Sequence, residues 1–574
     1  MCGIFSIINN NYNEISEEII ETAFYKGKNR GPEKSSLHHY TSSVLGFHRL
    51  AINGLNDISN QPIIIKDVIL ICNGEIFNYK ELYNLINVTP MTNSDCEVII
   101  HLYIKYGIEQ TLNMLDGEFA FLLLDNRISH NSLENNLYVA RDPYGIRPLY
   151  SLVPNDSNKE YLYGFSSELK SLIDIYTNLS VKNGPESSPF RVEQFKPGTY
   201  SVFTLPSYAI CKWEFKYNIS YHLPITTNIY NFNDDYTSIY NNISTYLYSA
   251  VIKRIVTTER PVACLLSGGL DSSLITSLVN NYYKTNNPSH QLETYSIGLN
   301  GSVDLSYAKI VADYLGTKHT EIIVTEKEMF EAIDEVIYAI ESYDTTTVRA
   351  SLGNYLIGKY ISKNSSAKVI LNGDGSDELF GGYIYMNKCL DTVEYDKEIR
   401  RLLKDICYFD VLRSDKCISS HGLEPRTPFL DKHLVNYYLS LPIELRNHNN
   451  KQNMEKYLLR CSFDFTIFKN YENKPLIPNE VLWRKKEAFS DGVSSKTKSL
   501  FEIIQEKVTF LLKCDNIIKN GIDAEKYYYK EIFNKHYPNC DSIVPYYWMP
   551  KYTNAIDPSA RTLDHYLETT PNCN

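Results

Sequence analysis

The sequence predicts a two-domain α/β protein, and three observations carry that reading. The chain has 574 residues, more than one hydrophobic core usually organises. Near its middle an apolar run, residues 262–266, passes into the glycine-rich turn Ser267-Gly268-Gly269-Leu270-Asp271-Ser272-Ser273. A helical pattern follows from Leu274, with Ser272 or Ser273 suited to its N-terminus. Beyond it, short apolar strands alternate with helices. That alternation implies a parallel sheet with ligands at its strand ends.

Bulk properties narrow the class. Composition is globular, 43% hydrophobic and 22% charged. The net charge of −11 argues against nucleic acid as the main partner. The 12 cysteines are scattered without a C-x-x-C pair, which fits reduced thiols in the cytoplasm better than disulfides or zinc. No secretory signal opens the chain and no apolar run is long enough to span a membrane, so no membrane partner is expected.

The chain starts Met1-Cys2-Gly3. A small residue at position 2 lets the initiator methionine be removed, exposing Cys2. Its own α-amino group, with a reference pKa of about 7.7–8.0, can then take the thiol proton. Asn29-Arg30-Gly31-Pro32-Glu33 reads as a turn, and Phe47-His48-Arg49-Leu50-Ala51-Ile52-Asn53 sets an arginine at the head of an apolar stretch. Cys72-Asn73-Gly74-Glu75-Ile76-Phe77-Asn78 follows the apolar run 68–71. Asn93-Ser94-Asp95-Cys96-Glu97 precedes a helical pattern over 98–106, and Leu115-Asp116-Gly117-Glu118-Phe119 leads into a strand. Arg141-Asp142-Pro143-Tyr144-Gly145 is a turn before another strand.

This set, in this order after Cys2, resembles the N-terminal-nucleophile glutaminase domain of class II glutamine amidotransferases, over residues 2–209. The resemblance implies an αββα sandwich in which Cys2 attacks the side-chain amide of glutamine, giving glutamate and ammonia. The Asn73 side chain and the Gly74 N–H would hold the oxyanion. Arg49 would clamp the glutamine α-carboxylate, and Asp95 would take its α-ammonium. Backbone groups of Leu50, Ala51, Ile52 and Asn53, with the Glu75 carboxylate, would complete the pocket. Asn93 stands where the family usually has glycine, and asparagine tolerates a positive φ.

Residues 177–195 read as a long exposed loop, and 210–235 as the interdomain linker. The following stretch to 256 shows helical spacing, with Ile239, Ile243, Leu247 and Val251 on one face. A second domain is expected over 236–550 and a C-terminal tail over 551–574.

In that second domain the glycine-rich turn between strand and helix makes an anion site. Its glycines let a phosphate approach, and the helix start offers free N–H groups. Ser267, Ser272 and Ser273 add hydroxyls. Asp271 beside phosphates makes sense with a magnesium ion between them. The turn lacks the Gly-Lys-Ser/Thr ending of the usual NTPase loop. Strands are expected over 292–299, 320–324 and 368–371. The last delivers Asn372-Gly373-Asp374-Gly375-Ser376-Asp377-Glu378, whose acids repel one another unless a cation is handled there. Asp271 and Asp377 are the pair expected on magnesium. Glu424-Pro425-Arg426-Thr427-Pro428-Phe429-Leu430-Asp431 reads as a fixed turn, and Trp483-Arg484-Lys485-Lys486 as a basic patch before a polar turn ending at Gly492.

With Tyr343-Asp344-Thr345-Thr346-Thr347-Val348-Arg349 and Asp557-Pro558-Ser559-Ala560-Arg561, these motifs resemble glutamine-hydrolysing asparagine synthetases of the B type over nearly the whole chain. The resemblance implies an ATP-pyrophosphatase domain, adenine nucleotide α-hydrolase-like, with ATP as substrate and Mg2+ as cofactor. The aspartate β-carboxylate would attack the α-phosphate, forming β-aspartyl-AMP. Ammonia arriving through an internal tunnel would displace AMP. Leu265 and Ile297 would hold adenine through their backbones. Ser267, Gly268, Gly269, Asp271, Ser272, Asn372 and Gly373 would line the nucleotide site. Thr346 and Arg349 would bind aspartate, and Lys486 would stabilise phosphate charge.

Two positions depart from the family. Asp374 stands for a glutamate credited with forming the adenylate, and Asn372 for a serine, so a working but slower synthetase is expected. The rival reading is a relative that senses glutamine or amidates another carboxylate. A homodimer is expected from the family alone.

Overall fold

The computed structural model describes residues 2–563, apart from 11–13, 128–133, 156–161, 182–187, 207–211, 224, 230–234, 451–453, 487–491 and 493–497. Its first domain holds two six-stranded antiparallel sheets. One runs, edge to edge, Phe190–Gln194, Tyr150–Pro154, Tyr163–Ser166, Gly3–Ile8, Ser43–Arg49, Lys34–Tyr40. The other runs Glu214–Ser220, Thr199–Leu205, Asn135–Arg141, Gly117–Asp125, Val68–Ile76, Ile63–Ile65.

Strand alternation explains the layering. Ile4 and Ile8 pack between the sheets with Leu45, Ile69, Ile71 and Leu122. Phe5 and Ile7, on the opposite face, meet Phe24 of the Glu17–Tyr25 helix and Leu172 of the Lys170–Val181 helix. On the second sheet Leu70 and Cys72 face Leu82, Ile99 and Leu102 of helices Tyr79–Ile86 and Val98–Met114. A strand covered on both faces must be apolar at successive positions, which is why 68–71 is an unbroken apolar run. The result is an αββα sandwich.

The second domain is built on a five-stranded parallel sheet in the order Lys318–Val324, Glu293–Leu299, Val262–Leu265, Val369–Leu371, Glu424–Arg426. The chain enters at the centre with Val262–Leu265, builds outward through two strands, then returns to the other side. That reversal opens a crevice outside the carboxyl ends of Val262–Leu265 and Val369–Leu371, where open parallel sheets bind ligands. The loops leaving those strands touch. A Cβ on Gly373 would lie 2.8 Å from the Asp271 backbone, and one on Gly268, at φ +75°, would lie 2.4 Å from Ala308 N. Only glycine fits either position.

The Tyr236–Val256 helix lies between the domains. Its Ile239, Ile243, Leu247 and Val251 are buried in one core with Leu50, Ile52, Tyr144 and Ile146 of the first domain. Among the described residues, no helix is long and apolar enough to cross a membrane.

The structure differs from expectation at several elements. The helix after the glycine-rich turn begins at Leu270, capped by Gly269 rather than a serine, so Asp271 and Ser272 lie in its first turn. Residues 214–220 are an edge strand, not linker, because Phe215 packs on Phe203 across the sheet. The 177–195 stretch holds a helix end and the Phe190–Gln194 strand, with 182–187 outside the described residues. Glu424–Arg426 is the fifth parallel strand, and Pro425 is tolerated there because the strand is an edge. The expected tail is packed as far as Leu563, with Asp557, Ser559 and Leu563 buried, while 564–574 lie outside the described residues. Asn93 is not among the residues at positive φ, so its replacement of glycine meets no strain.

Candidate active sites

Cys2 leads straight into the Gly3–Ile8 strand, and its thiol donates to Leu50 O at 3.6 Å. Gly3 pairs with His48, which sets residues 49–53 beside the thiol. Burial pushes the Cys2 thiol up to about 11, so a base has to accept its proton for a thiolate to form near neutral pH. On the second sheet, Asn73 and Gly74 pair with Ala120 and Phe119. Asn73 Nδ2 lies 3.3 Å from Ser167 Oγ, and its buried Oδ1 has no hydrogen-bond partner.

Arg49 is buried, yet its guanidinium donates only to neutral oxygens: Asn56 O at 3.0 Å, Asn60 Oδ1 at 2.7 Å, and Gly54 O. Asp95 accepts from Ile76 N at 2.7 Å, and burial pushes its carboxyl up to about 6. Glu75 accepts from Asn53 Nδ2 at 2.7 Å and pairs with Arg426 of the second domain at 3.3 Å. Burial, then the neighbouring Asp95, push the Glu75 carboxyl well above the ordinary range.

The second site is the crevice at the strand reversal, an open cleft of about 990 Å³ partly continuous with solvent. Leu265, Ser267, Gly269, Asp271, Ser272, Asn372, Gly373, Asp374, Asp377 and Lys486 all line it. Ser272 Oγ accepts from Ser267 N at 3.1 Å, which closes the turn. The two loops are tied by Ser376 Oγ donating to Asp271 Oδ1 at 2.8 Å. Lys456 Nζ lies 2.6 Å from Asp271 and 2.6 Å from Asp377, and Lys486 also pairs with Asp377. Asp374 faces Arg413 at 3.1 Å, and burial raises its carboxyl. Arg413 also holds Asp410 at 2.6 Å, while Tyr383 OH lies within hydrogen-bonding distance of both Glu378 and Asp410, at 2.6 and 2.7 Å. One end of the cleft is therefore set with ammonium groups, and the other with an arginine among carboxylates.

Five expected residues are not among those lining the cleft: Gly268, Ile297, Thr346, Arg349 and the fully buried Ser273. Gly268 turns its carbonyl to Arg484 Nη1 at 2.9 Å. The Ile297 side chain is buried in the core. Thr346 keeps a buried hydroxyl without a partner. The Arg349 guanidinium pairs with Glu525 and Asp557, at 2.6 and 2.8 Å.

Comparison with known proteins agrees with this geometry. Residues 1–203 match the glutamine amidotransferase domain family, and residues 242–395 and 387–556 match the asparagine synthase family. The asparagine synthetase [glutamine-hydrolyzing] of Gallus gallus is 40% identical, with 99% of each chain covered. The chain belongs to the glutamine-hydrolysing asparagine synthetases. The enzymes of that name from Homo sapiens and Mus musculus are each 39% identical, again over 99% of both chains.

In this member of the asparagine synthetases, one helix joins the two sites. The Asp410–Ser419 helix presents Arg413 to Asp374, and its Ser414 Oγ accepts from Asn372 Nδ2 at 2.6 Å. Further along, Asp415 and Ser419 accept from Arg30 Nη1 at 2.7 and 2.9 Å. Arg30 Nε in turn donates to the Cys2 carbonyl at 3.0 Å. Arg30 reads in the sequence only as part of a turn. Arg413, Asp415, Arg426 and Lys456 carry no local signal, because each acquires its role from a partner hundreds of positions away or on another loop. The partial exception is Arg426, whose place after Glu424-Pro425 marks a rigid segment. Residues 487–491 of the basic patch lie outside the described residues.

Proposed function

We propose that this chain makes asparagine from aspartate, ATP and glutamine. In the first domain, Cys2 attacks the glutamine side-chain amide, and ammonia leaves as the thioester forms. Water then releases glutamate. Once Met1 is removed, the α-amino group of Cys2 is the base that lowers the barrier set by the buried thiol. Arg49 and Asp95 grip the two charged ends of the amino acid, and Asn73 with Gly74 N–H receives the developing oxyanion.

In the second domain, a β-carboxylate oxygen of aspartate attacks the ATP α-phosphorus, and pyrophosphate leaves. Ammonia then attacks the acyl carbon and AMP departs. Ser267, Ser272 and the start of the Leu270–Asn286 helix receive phosphate oxygens, while Lys456 and Lys486 balance their charge. Asp271 and Asp377 fit a magnesium ion: two carboxylates from separate loops already converge on one cationic group, the Lys456 ammonium. Magnesium is commonly held by one or two carboxylates plus substrate phosphates. When bound, it would withdraw charge from the phosphates. Arg413 and Asp410, next to Asp374, are better placed than Arg349 to meet the zwitterionic end of aspartate.

The observation that carries this reading is the cleft at the strand reversal, where both phosphate-facing loops and two ammonium groups meet in the same chain as Cys2. The ten described cysteines are free thiols, which supports a cytoplasmic enzyme. Homodimerisation is carried over from the family, while the expectation of small-molecule partners without nucleic acid or membrane rests on the net charge of −11 and the lack of a long apolar run. The test is pyrophosphate release with MgATP, aspartate and glutamine, quantifying asparagine and glutamate together. Cys2→Ala should abolish use of glutamine but leave ammonia able to support synthesis. Glutamate without pyrophosphate or asparagine would overturn the reading of the second domain.

A further inference from the structure

Lys456 is buried, with its side chain 2% exposed, and holds a left-handed backbone at φ +57° ahead of the short Tyr457–Ser462 helix. Its Nζ lies 2.6 Å from each Asp271 oxygen and 2.6 Å from Asp377 Oδ1. The fold makes room for it. A Cβ on Gly382 would lie 2.0 Å from Lys456 Cε and 2.2 Å from Asp377 Oδ1, so that glycine opens the slot through which the lysine reaches both acids.

We propose that Lys456 is a resident cation, holding in the nucleotide-free enzyme the position that a divalent ion takes only together with ATP. The inference rests on the reading of this cleft as the MgATP site. Two carboxylates facing one another out of water repel strongly unless a cation lies between them. Here two carboxylates meet two ammonium groups, from Lys456 and Lys486, and the four charges cancel. A divalent ion entering alone must displace an ammonium and leaves the cleft with surplus positive charge. The net-negative complex of the ion with ATP removes that surplus, and its phosphates give the displaced ammonium a new partner. The lysine thus makes metal binding conditional on nucleotide.

The test titrates Mn2+ into the full-length protein, with and without ATP, reading free Mn2+ by electron paramagnetic resonance. The wild type should bind Mn2+ weakly alone and tightly with ATP. Lys456→Met and Lys456→Gln, each checked for native near-UV circular dichroism, should tighten nucleotide-free Mn2+ binding by about tenfold, since a competing charge is removed. Lys456→Arg should stay weak. Unchanged nucleotide-free affinity in both neutral variants, or equal tightening in the arginine variant, would overturn the proposal while leaving the MgATP reading intact. Failure of wild-type protein to bind Mn2+ even with ATP would overturn the reading of the cleft and the proposal with it.

Discussion

The guanidinium of Arg349 meets the carboxylate of Asp557 through two parallel bonds, each 2.8 Å long. Glu525 closes the other side, and the Phe501 ring lies 5.3 Å from the guanidinium carbon. The last described segment of the chain is thereby fastened to the Thr345–Asn364 helix. Arg349→Met should lower stability by about 3–5 kcal/mol, because two buried carboxylates lose their counter-charge. Urea unfolding would measure this. At temperatures where the variant is folded, its KM for aspartate should stay near the wild-type value.

Asp374→Glu should speed asparagine synthesis. Asp374 reaches Arg413 at 3.1 Å, and a glutamate there would carry the carboxylate one methylene further into the cleft. Small displacements of a reacting group change rates by large factors, so a gain of up to about tenfold in kcat is expected. Pyrophosphate release under saturating substrates checks it. Slower synthesis would mean that the surrounding cleft has adapted to the shorter side chain.

Glutamine use should depend on pH through Asp95. Burial raises its carboxyl to about 6. Below that value the neutral acid predominates and cannot pair with the substrate α-ammonium. The KM for glutamine should therefore rise as pH falls through about 6, by roughly tenfold for each further unit, while the KM for ATP does not follow it. Asp95→Asn should raise the KM at neutral pH and flatten this step.

Asp415→Asn should loosen the link between the sites without touching either set of reacting groups. Asp415 anchors Arg30, and Arg30 holds the Cys2 carbonyl. Glutamine-dependent synthesis should fall by about tenfold, in keeping with the loss of a hydrogen-bonded charge pair, and ammonia-dependent synthesis much less. Glutamate formed without ATP is the readout, and it should fall in step with glutamine-dependent synthesis.

The parallel sheet was legible in the alternation of strands and helices, whereas the sandwich came only through the resemblance that the first-domain motifs carry. Strands buried on two faces, such as Val68–Ile76 and Val369–Leu371, show as unbroken apolar runs, and the loops they deliver hold glycines where backbones must touch. Gly268 and Gly373 are readable because their neighbours leave no space for a side chain. Short edge strands were not legible. Glu214–Ser220 is exposed along most of its length, and Glu424–Arg426 contains a proline, so neither shows the usual pattern. The motifs were legible as loops, but the partners their charges take in the fold were not. Nothing near Arg349 in sequence points to Asp557, and nothing near Asp271 points to Lys456. Such pairs are set by tertiary packing over long separations, which local pattern does not record.

The bond from Arg30 to the Cys2 carbonyl has a consequence for synthesis of the protein itself. A ribosome completes the whole amidotransferase sandwich long before it reaches Asp415 and Ser419. Until then Arg30 lacks two of the three side chains that orient it, and the residue bearing the nucleophile is held from one side only. A chain interrupted before Asp415 therefore lacks two of the contacts that orient Arg30 beside Cys2.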